Sequence, residues 1–568
     1  LAFLAVAVLA ASLPAMAAAQ DVRRIPVAEY VDRMKAGWIG QMAGVGQGAP
    51  TEFKIKGEIM PADLVPAWKP EMINQFNQDD IYVEMTFLRT LEQYGLDAPI
   101  RQAGIDFANS GYPLWHANKA GRENLRRGIA PPDSGHPAFN KHADDIDYQI
   151  EADFAGLIAP GLPNTVIRLG ETFGRLMNYG DGLYGGQFVG GMYAAAFFET
   201  DPVKLVEAGL ACIPRESQYA ECVRDMLAWH RANPDDWEKT WTLLEAKYHT
   251  DPAYTHGLCS GPGGKGAFSI DAKLNGAYIV MGLLYGGRDP EKTIVISTRC
   301  GQDSDCNPSS AAGVLFATMG YAALPDTYKS ALNPEGKFSH TPYNFPALIS
   351  VCEQLARQAV AQAGGKVEKA ADGTEVFVIP VQTPKPTALE RSYEPGPAAN
   401  VKFTPEEMGK ITAASAEGKE PGSVNLQPAL DKFAAGWKVA NCGPDMDPGL
   451  LSEWGGREKV LMTHPLVRGT GCVLSRKVEV PAGRKTSIVI VVANDPRGDF
   501  DLVVRADGKE LLKQTVAVNT EEKSGQWLTL AVDLAPLAGK TATVEVVNQP
   551  TDWRYEAAYF ADLRVVSE

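Results

Sequence analysis

Asp303 and Asp305 stand one residue apart in the stretch CGQDSDCNPSSAAG, at the mouth of a run that reads as a helix. Asp79 and Asp80 are adjacent in NQDDIYVEMTF, again where an amphipathic helix begins. Neighbouring carboxylates repel unless a cation lies between them, and hard divalent cations take oxygen ligands of this kind. Asp303, Asp305 and Asn307 match the first ligand positions of a calcium hand, but Pro308 replaces the turn glycine and Val314 the closing glutamate. That reading fails. Helix capping accounts for Asn307 as cap and Pro308 as first helical residue, but not for two aspartates just upstream. Spacing alone leaves two readings open: two solvated helix starts, or two halves of one cation site.

The elements that must position these residues form a largely helical region from about Pro26 to Ala363. VAEYVDRMKAGWIGQMAG and IYVEMTFLRTLEQYG place apolar residues three and four apart. GGQFVGGMYAAAFFE, LNGAYIVMGLLYGG and PSSAAGVLFATMGYAAL are apolar nearly all round, which suits the middle of a bundle. Residues 366–423 read as a junction, with one strand-like run (TEVFVIP) and Pro-rich linker material. From 424 to 568 the runs become short, alternating and β-branched, as in TSIVIVVAND and TATVEVVNQ. Turn residues separate them, the signature of an antiparallel sandwich or jelly roll.

Composition narrows the class. The 568 residues are 45% hydrophobic and 22% charged, with a net charge of −15. That describes a multidomain globular chain and argues against nucleic acid, which calls for clustered Lys and Arg. Residues 1–20, LAFLAVAVLAASLPAMAAAQ, read as a signal peptide cleaved near Ala17 to Gln20, so the expected location is secreted, periplasmic or cell-surface. Pro14 and the short apolar length argue against a stable membrane anchor. Eight cysteines permit bridges at Cys442–Cys472 and Cys300–Cys306 without forming a disulfide scaffold.

The stretch GAYIVMGLLYGGRDPEKTIVISTRCGQDSDCNPSSAAGVLFATMGYAALP resembles the closing motif of the ADP-ribosylglycohydrolase family. RMKAGWIGQMAGVGQGAPTEF resembles its opening helix, and QDD occupies its Thr-Asp-Asp motif. The resemblance implies an all-α bundle over residues 26–365 with one or two Mg²⁺ (or Mn²⁺) ions in a cleft. Carried over by position, the implied metal ligands are Gln78, Asp79, Asp80, Asp303, Asp305 and Cys306. Glu52, Asp80 and Asp303 are the implied catalytic residues. Gln78 and Cys306 replace family threonines. The family's ADP-ribose-holding stretch matches IEADFAGLIAPGLP only at its Ala-Pro-Gly end, which points away from ADP-ribose.

Glycoside cleavage calls for carboxylates on both sides of the anomeric carbon, and Glu52, Glu84, Asp145 and Glu151 are candidates. Asp144, Asp145 and Asp147 also read as a solvated helix start. Tyr184, Gln187 and Asn275, in glycine-rich surroundings, are candidate substrate contacts, and Trp115 reads as either a sugar platform or core. The expected function is thus a secreted, metal-dependent glycosidase acting on a furanosyl-type N- or O-glycosidic bond of a small sugar or glycan. The sandwich is a candidate carbohydrate-binding module by analogy of fold. The alternatives are an ADP-ribosyl hydrolase proper and an inactive carbohydrate-binding protein.

Overall fold

The structure, a computed structural model, describes residues 21–256, 259, 263–412, 424–443, 445–466, 469–517, 527–551 and 555–568. The segment read as a signal peptide lies outside them. Contacts divide the chain into two compact units, Leu1–Ala414 and Ser415–Glu568. Among the described residues no helix is long and apolar enough to cross a membrane.

The first unit is a helical bundle. Its central helices are those the sequence marks as apolar all round: Asp181–Ala196, Ala272–Tyr285 and Cys306–Met319 are buried along almost their whole length. Val27–Gly48 packs along Cys306–Met319 through Gly40, Gly44 and Gly48, spaced four apart on one face. A Cβ at these positions would overlap the backbone of Ala312, Pro308 and Ser304 respectively. The glycines therefore permit a helix approach that larger residues forbid, and they bring the first helix up to the loop carrying Asp303 and Asp305.

A three-stranded antiparallel sheet closes this unit. Strand β1 (Val22–Pro26) pairs with β3 (Glu375–Pro380), which pairs with β2 (Lys366–Lys369). Part of the segment read as a junction is thus a return to the helical unit. Ser392 Oγ donates to Asp144 and Val401 N to Asp133, extending the same attachment.

The second unit holds two five-stranded antiparallel sheets. Its strands are β4 (Lys438–Ala440), β5 (Leu450–Trp454), β6 (Arg457–Thr463), β7 (Cys472–Val480) and β8 (Thr486–Asn494). They continue as β9 (Phe500–Ala506), β10 (Lys509–Val516), β11 (Leu528–Asp533), β12 (Lys540–Gln549) and β13 (Ala558–Ser567). The sheet orders are β10-β9-β12-β7-β4 and β11-β8-β13-β6-β5. Alternation in β8 shows why they stack: Ile488, Ile490 and Val492 join Leu502, Val504, Val544 and Val546 of the other sheet in one core. The opposite face of β8, through Val491 and Ala493, packs under Trp527 and Tyr559. The all-α bundle followed by an antiparallel sandwich is the architecture the sequence patterns call for.

Candidate active site

Two helix starts and two loops build the site. Gln78 is extended (φ −127°, ψ 139°) and begins the helix Asp79–Tyr94. Its main-chain carbonyl accepts from Ile81 N and Tyr82 N at 3.1 Å each, so that oxygen is committed to the helix. Asp79 is half-buried and Asp80 completely buried.

The other pair sits on a turn with two successive left-handed residues, Gly301 (φ 85°) and Gln302 (φ 56°). Gln302 is the pillar of this turn. Its backbone N donates to Ile55 O and its carbonyl accepts from Phe53 N, both at 2.9 Å. Its side chain accepts from Ser269 N and donates to Ala267 O. Thr51 Oγ1 lies 2.8 Å from Ser304 Oγ. The helix then starts at Cys306 with Asp305 at the capping position, two residues earlier than the expected Asn307 cap. Asn307 instead donates its side-chain amide to Asn275 Oδ1 at 2.9 Å, because both amides are buried and each needs a partner.

These elements bring the two acidic pairs to one place. Ligand atoms of Asp79, Asp80 and Cys306 lie within 4.8 Å of one another, and so do those of Asp303, Asp305 and Cys306. The Cys306 thiol is the common member. Further carboxylates surround it. Glu84, one turn on from Asp80, accepts from Gln41 Nε2 and from Phe154 N. Asp147 accepts from Asn118 N, Glu151 from Asn118 Nδ2, and Asp153 from Tyr193 Oη at 2.7 Å. Asp144, Asp145 and Asp147 are 4%, 0% and 7% exposed, so the solvated-helix-start reading is corrected. They fold inward because donors wait there: Ser392 Oγ for Asp144, Ala117 N and Asn178 Nδ2 for Asp145, and Asn118 N for Asp147.

Electrostatics follow from the crowding. Burial is the first cause pushing the carboxyls of Asp80, Glu84, Asp147, Glu151, Asp303 and Asp305 well above the usual range. Repulsion adds to it: Asp79, Asp305 and Asp153 raise Asp80, while Glu52 and Asp80 raise Asp303. Asp145 and Asp153 are each pushed up to about 7, again by burial first. Both oxygens of Asp80, Asp303 Oδ2, Glu151 Oε2 and Asp153 Oδ1 are buried without a hydrogen-bond partner. Such oxygens are costly as bare anions, and a hard divalent cation is the partner their chemistry fits. The Cys306 sulfur is the soft exception.

The remaining candidates fall in different places. Glu52 is exposed at the edge of the cluster, close enough for its charge to act on Asp303. Asn275 braces the Cys306–Met319 helix start, its amide donating to Ser269 O and Asp271 O. Tyr184 and Gln187, expected as substrate contacts, are fully buried in the core. The Tyr184 hydroxyl donates to Ala388 O and accepts from Glu390 N, and the Gln187 amide donates to Ile167 O, so both side chains are tied to internal backbone. Trp115 is 53% exposed and is therefore not core.

Near Glu52 lies an aromatic group that no spacing in the chain announces. Phe53 and Phe268 have ring centroids 4.9 Å apart, Phe268 and His116 5.8 Å, and His116 and His142 5.2 Å. Four separate segments supply them. Among the described residues the cysteines are all free. Cys300 donates to Ile296 O while Cys306 donates to Asp305, so these two serve different partners. Cys442 and Cys472 lie within hydrogen-bond reach of each other.

A family model described as ADP-ribosylglycohydrolase matches residues 26–365. Among solved structures, the chain is similar to an "ADP-ribosylglycohydrolase-related protein complex" at 16% identity and a TM-score of 0.39, over 58% of this chain and 99% of that one. It is also similar to a CBM35 from Paenibacillus barcinonensis, at 14% identity and a TM-score of 0.17, over 23% of this chain and 94% of that one. A third similarity is to the K3 cleaved adhesin domain of Lys-gingipain from Porphyromonas gingivalis, at 16% identity and a TM-score of 0.18, over 24% and 95%. No curated protein matches.

Proposed function

The chain belongs to the ADP-ribosylglycohydrolase family, and from that premise we propose that it is an exported glycosidase dependent on Mg²⁺ or Mn²⁺, cleaving a furanosyl N- or O-glycosidic bond. The observation that carries this reading is the meeting of Asp79 and Asp80 with Asp303 and Asp305 around Cys306, with buried carboxylate oxygens lacking any partner. Export is supported by the apolar leading run that ends in small residues.

Asp79, Asp80, Asp303 and Asp305 would hold the cation. When bound, it supplies Lewis-acid stabilisation of negative charge developing on oxygen. Glu84 is a positioning residue: its two oxygens, tied to Gln41 and Phe154 N, fix the helix turn from which Asp80 projects. Glu52 is the carboxylate of the group that faces solvent. It can exchange its proton with water between turnovers, as a general acid–base must, whereas the sealed carboxyls cannot. Phe53 and Phe268 offer apolar ring faces beside it on which a sugar ring can stack. The C-terminal sandwich is proposed to hold the enzyme on a glycan.

The test is hydrolysis of ADP-ribosyl-arginine and of a furanoside panel, with and without EDTA. EDTA-sensitive cleavage of a furanoside is expected. Cleavage of neither substrate class, or cleavage indifferent to EDTA, defeats the reading.

A further inference from the structure

A second set of ligating side chains stands beside the acidic cluster and differs from it in kind. A ring nitrogen of His142, Cys259 Sγ and a carboxylate oxygen of Asp145 all lie within 4.8 Å of one another. The thiol is 3.8 Å from the imidazole nitrogen. Ligands at the bond lengths usual for zinc on nitrogen and sulfur sit about 3.5 Å apart in a tetrahedron, so this edge already has nearly the required length. One nitrogen, one sulfur and one oxygen form a borderline-soft donor set, unlike the all-oxygen surroundings of Asp80 and Asp303.

An independent observation points to the same place. Asp144 is 4% exposed and borders the Cys259 thiol, and its Oδ1 accepts no hydrogen bond. It is a buried polar atom without a partner at the edge of the trio. Asp145 is held in position as metal-binding carboxylates usually are: Oδ1 accepts from Asp147 N and Asn178 Nδ2, while Oδ2 accepts from Ala117 N alone and keeps a further lone pair. The His142 ring is steered by the edge-on ring of His116.

We propose that His142, Asp145 and Cys259, with Asp144 as the adjoining fourth group, form a site for a Zn²⁺-class cation, separate from the hard-cation centre. Its place in the fold gives it a purpose. Ile270 N donates to Cys259 O, Ala272 N donates to Asp144 O, and Asp145 bridges to Asp271. A cation here clasps the segment leading into the helix Ala272–Tyr285 onto the turn that carries Asp147 and Glu151. The inference does not depend on the glycosidase reading.

Co²⁺ is the probe, added to the full-length protein in saturating Mg²⁺ so that the acidic centre is already filled. One equivalent is expected to give a thiolate-to-cobalt charge-transfer band that stoichiometric Zn²⁺ removes and further Mg²⁺ does not. Cys259→Ser abolishes the band, and Cys306→Ser keeps it. His142→Ala, on a half-buried ring, lowers Co²⁺ affinity by at least about tenfold, the effect of losing even a partner of a ligand. This variant decides the matter should Cys259→Ser fail to fold. Absence of the band in the unaltered protein overturns the proposal. So does a band lost with Cys306→Ser but kept with Cys259→Ser, or one unaffected by His142→Ala.

Discussion

Asp80 and Asp305 begin different helices and meet at one thiol: each belongs to a trio completed by Cys306 within 4.8 Å, and the charge of Asp305 raises the carboxyl of Asp80. A bundle that gathers such groups is under electrostatic load until a cation relieves it.

Metal should therefore act on stability. At a hundredfold excess over its Kd, Mg²⁺ is expected to stabilise the protein by about 2.7 kcal/mol, and EDTA to remove that gain. Thermal unfolding by differential scanning fluorimetry checks it. A Tm unmoved by either addition counts against a cation at the acidic cluster.

Asp80→Asn should separate two effects of one carboxylate. It removes a buried, repelled anion, so the metal-free protein is expected to gain on the order of 1 kcal/mol. It also removes both unpartnered oxygens of Asp80 as anionic ligands, so the Mg²⁺-induced rise in Tm should largely vanish. Denaturant unfolding with and without Mg²⁺ reads both. A destabilised metal-free variant with an intact Mg²⁺ response contradicts the assignment.

The pH dependence has a definite sign. Asp153 is held up to about 7 by burial, well above its ordinary value of 3.8. Between those values the folded chain binds more protons than the unfolded one. The stability tied to this group is present below about pH 4 and is lost as pH rises towards 7. A cation favours the ionised carboxylates of the cluster and offsets the loss. The gap between unfolding curves in Mg²⁺ and in EDTA should thus widen from pH 5 to pH 7. A gap constant with pH argues that the cluster does not titrate with metal.

Glu52→Gln should lower kcat by roughly 10²–10⁴ if Glu52 handles the proton, while the Mg²⁺-induced Tm shift stays. Activity assays beside fluorimetry separate the roles. Unchanged kcat moves the acid–base work to another carboxylate.

Gly44→Ala places a methyl group against the Pro308 backbone, which cannot move aside without shifting the loop that carries Asp303 and Asp305. A loss of about 1–3 kcal/mol is expected, with weaker Mg²⁺ binding. Near-native stability and metal affinity would show that the two helices part at little cost.

Apolar runs of helical period and alternating β-branched runs are local patterns. They fix which faces must be buried, so the bundle, the sandwich and their order were legible in the chain. The two acidic helix starts were legible for the same reason, since a helix start is a local event. The return of β2 and β3 to β1 was not, because strand pairing across the whole bundle leaves no periodic trace in either partner.

Residue chemistry by itself made four aspartates candidates for a cation, and the family resemblance added Glu52 as a candidate for acid–base work. Only the tertiary structure decided which neighbours joined them. It turned Asp144, Asp145 and Asp147 inward, since the Ser392 hydroxyl, the Asn178 side chain and the backbone amides of 117 and 118 were there to receive them. It committed Tyr184 and Gln187 to internal carbonyls, and it set Phe53, Phe268, His116 and His142 side by side. A side chain's role depends on whether a partner or a cavity lies within a few ångströms, and that distance is a property of the packed chain rather than of its order.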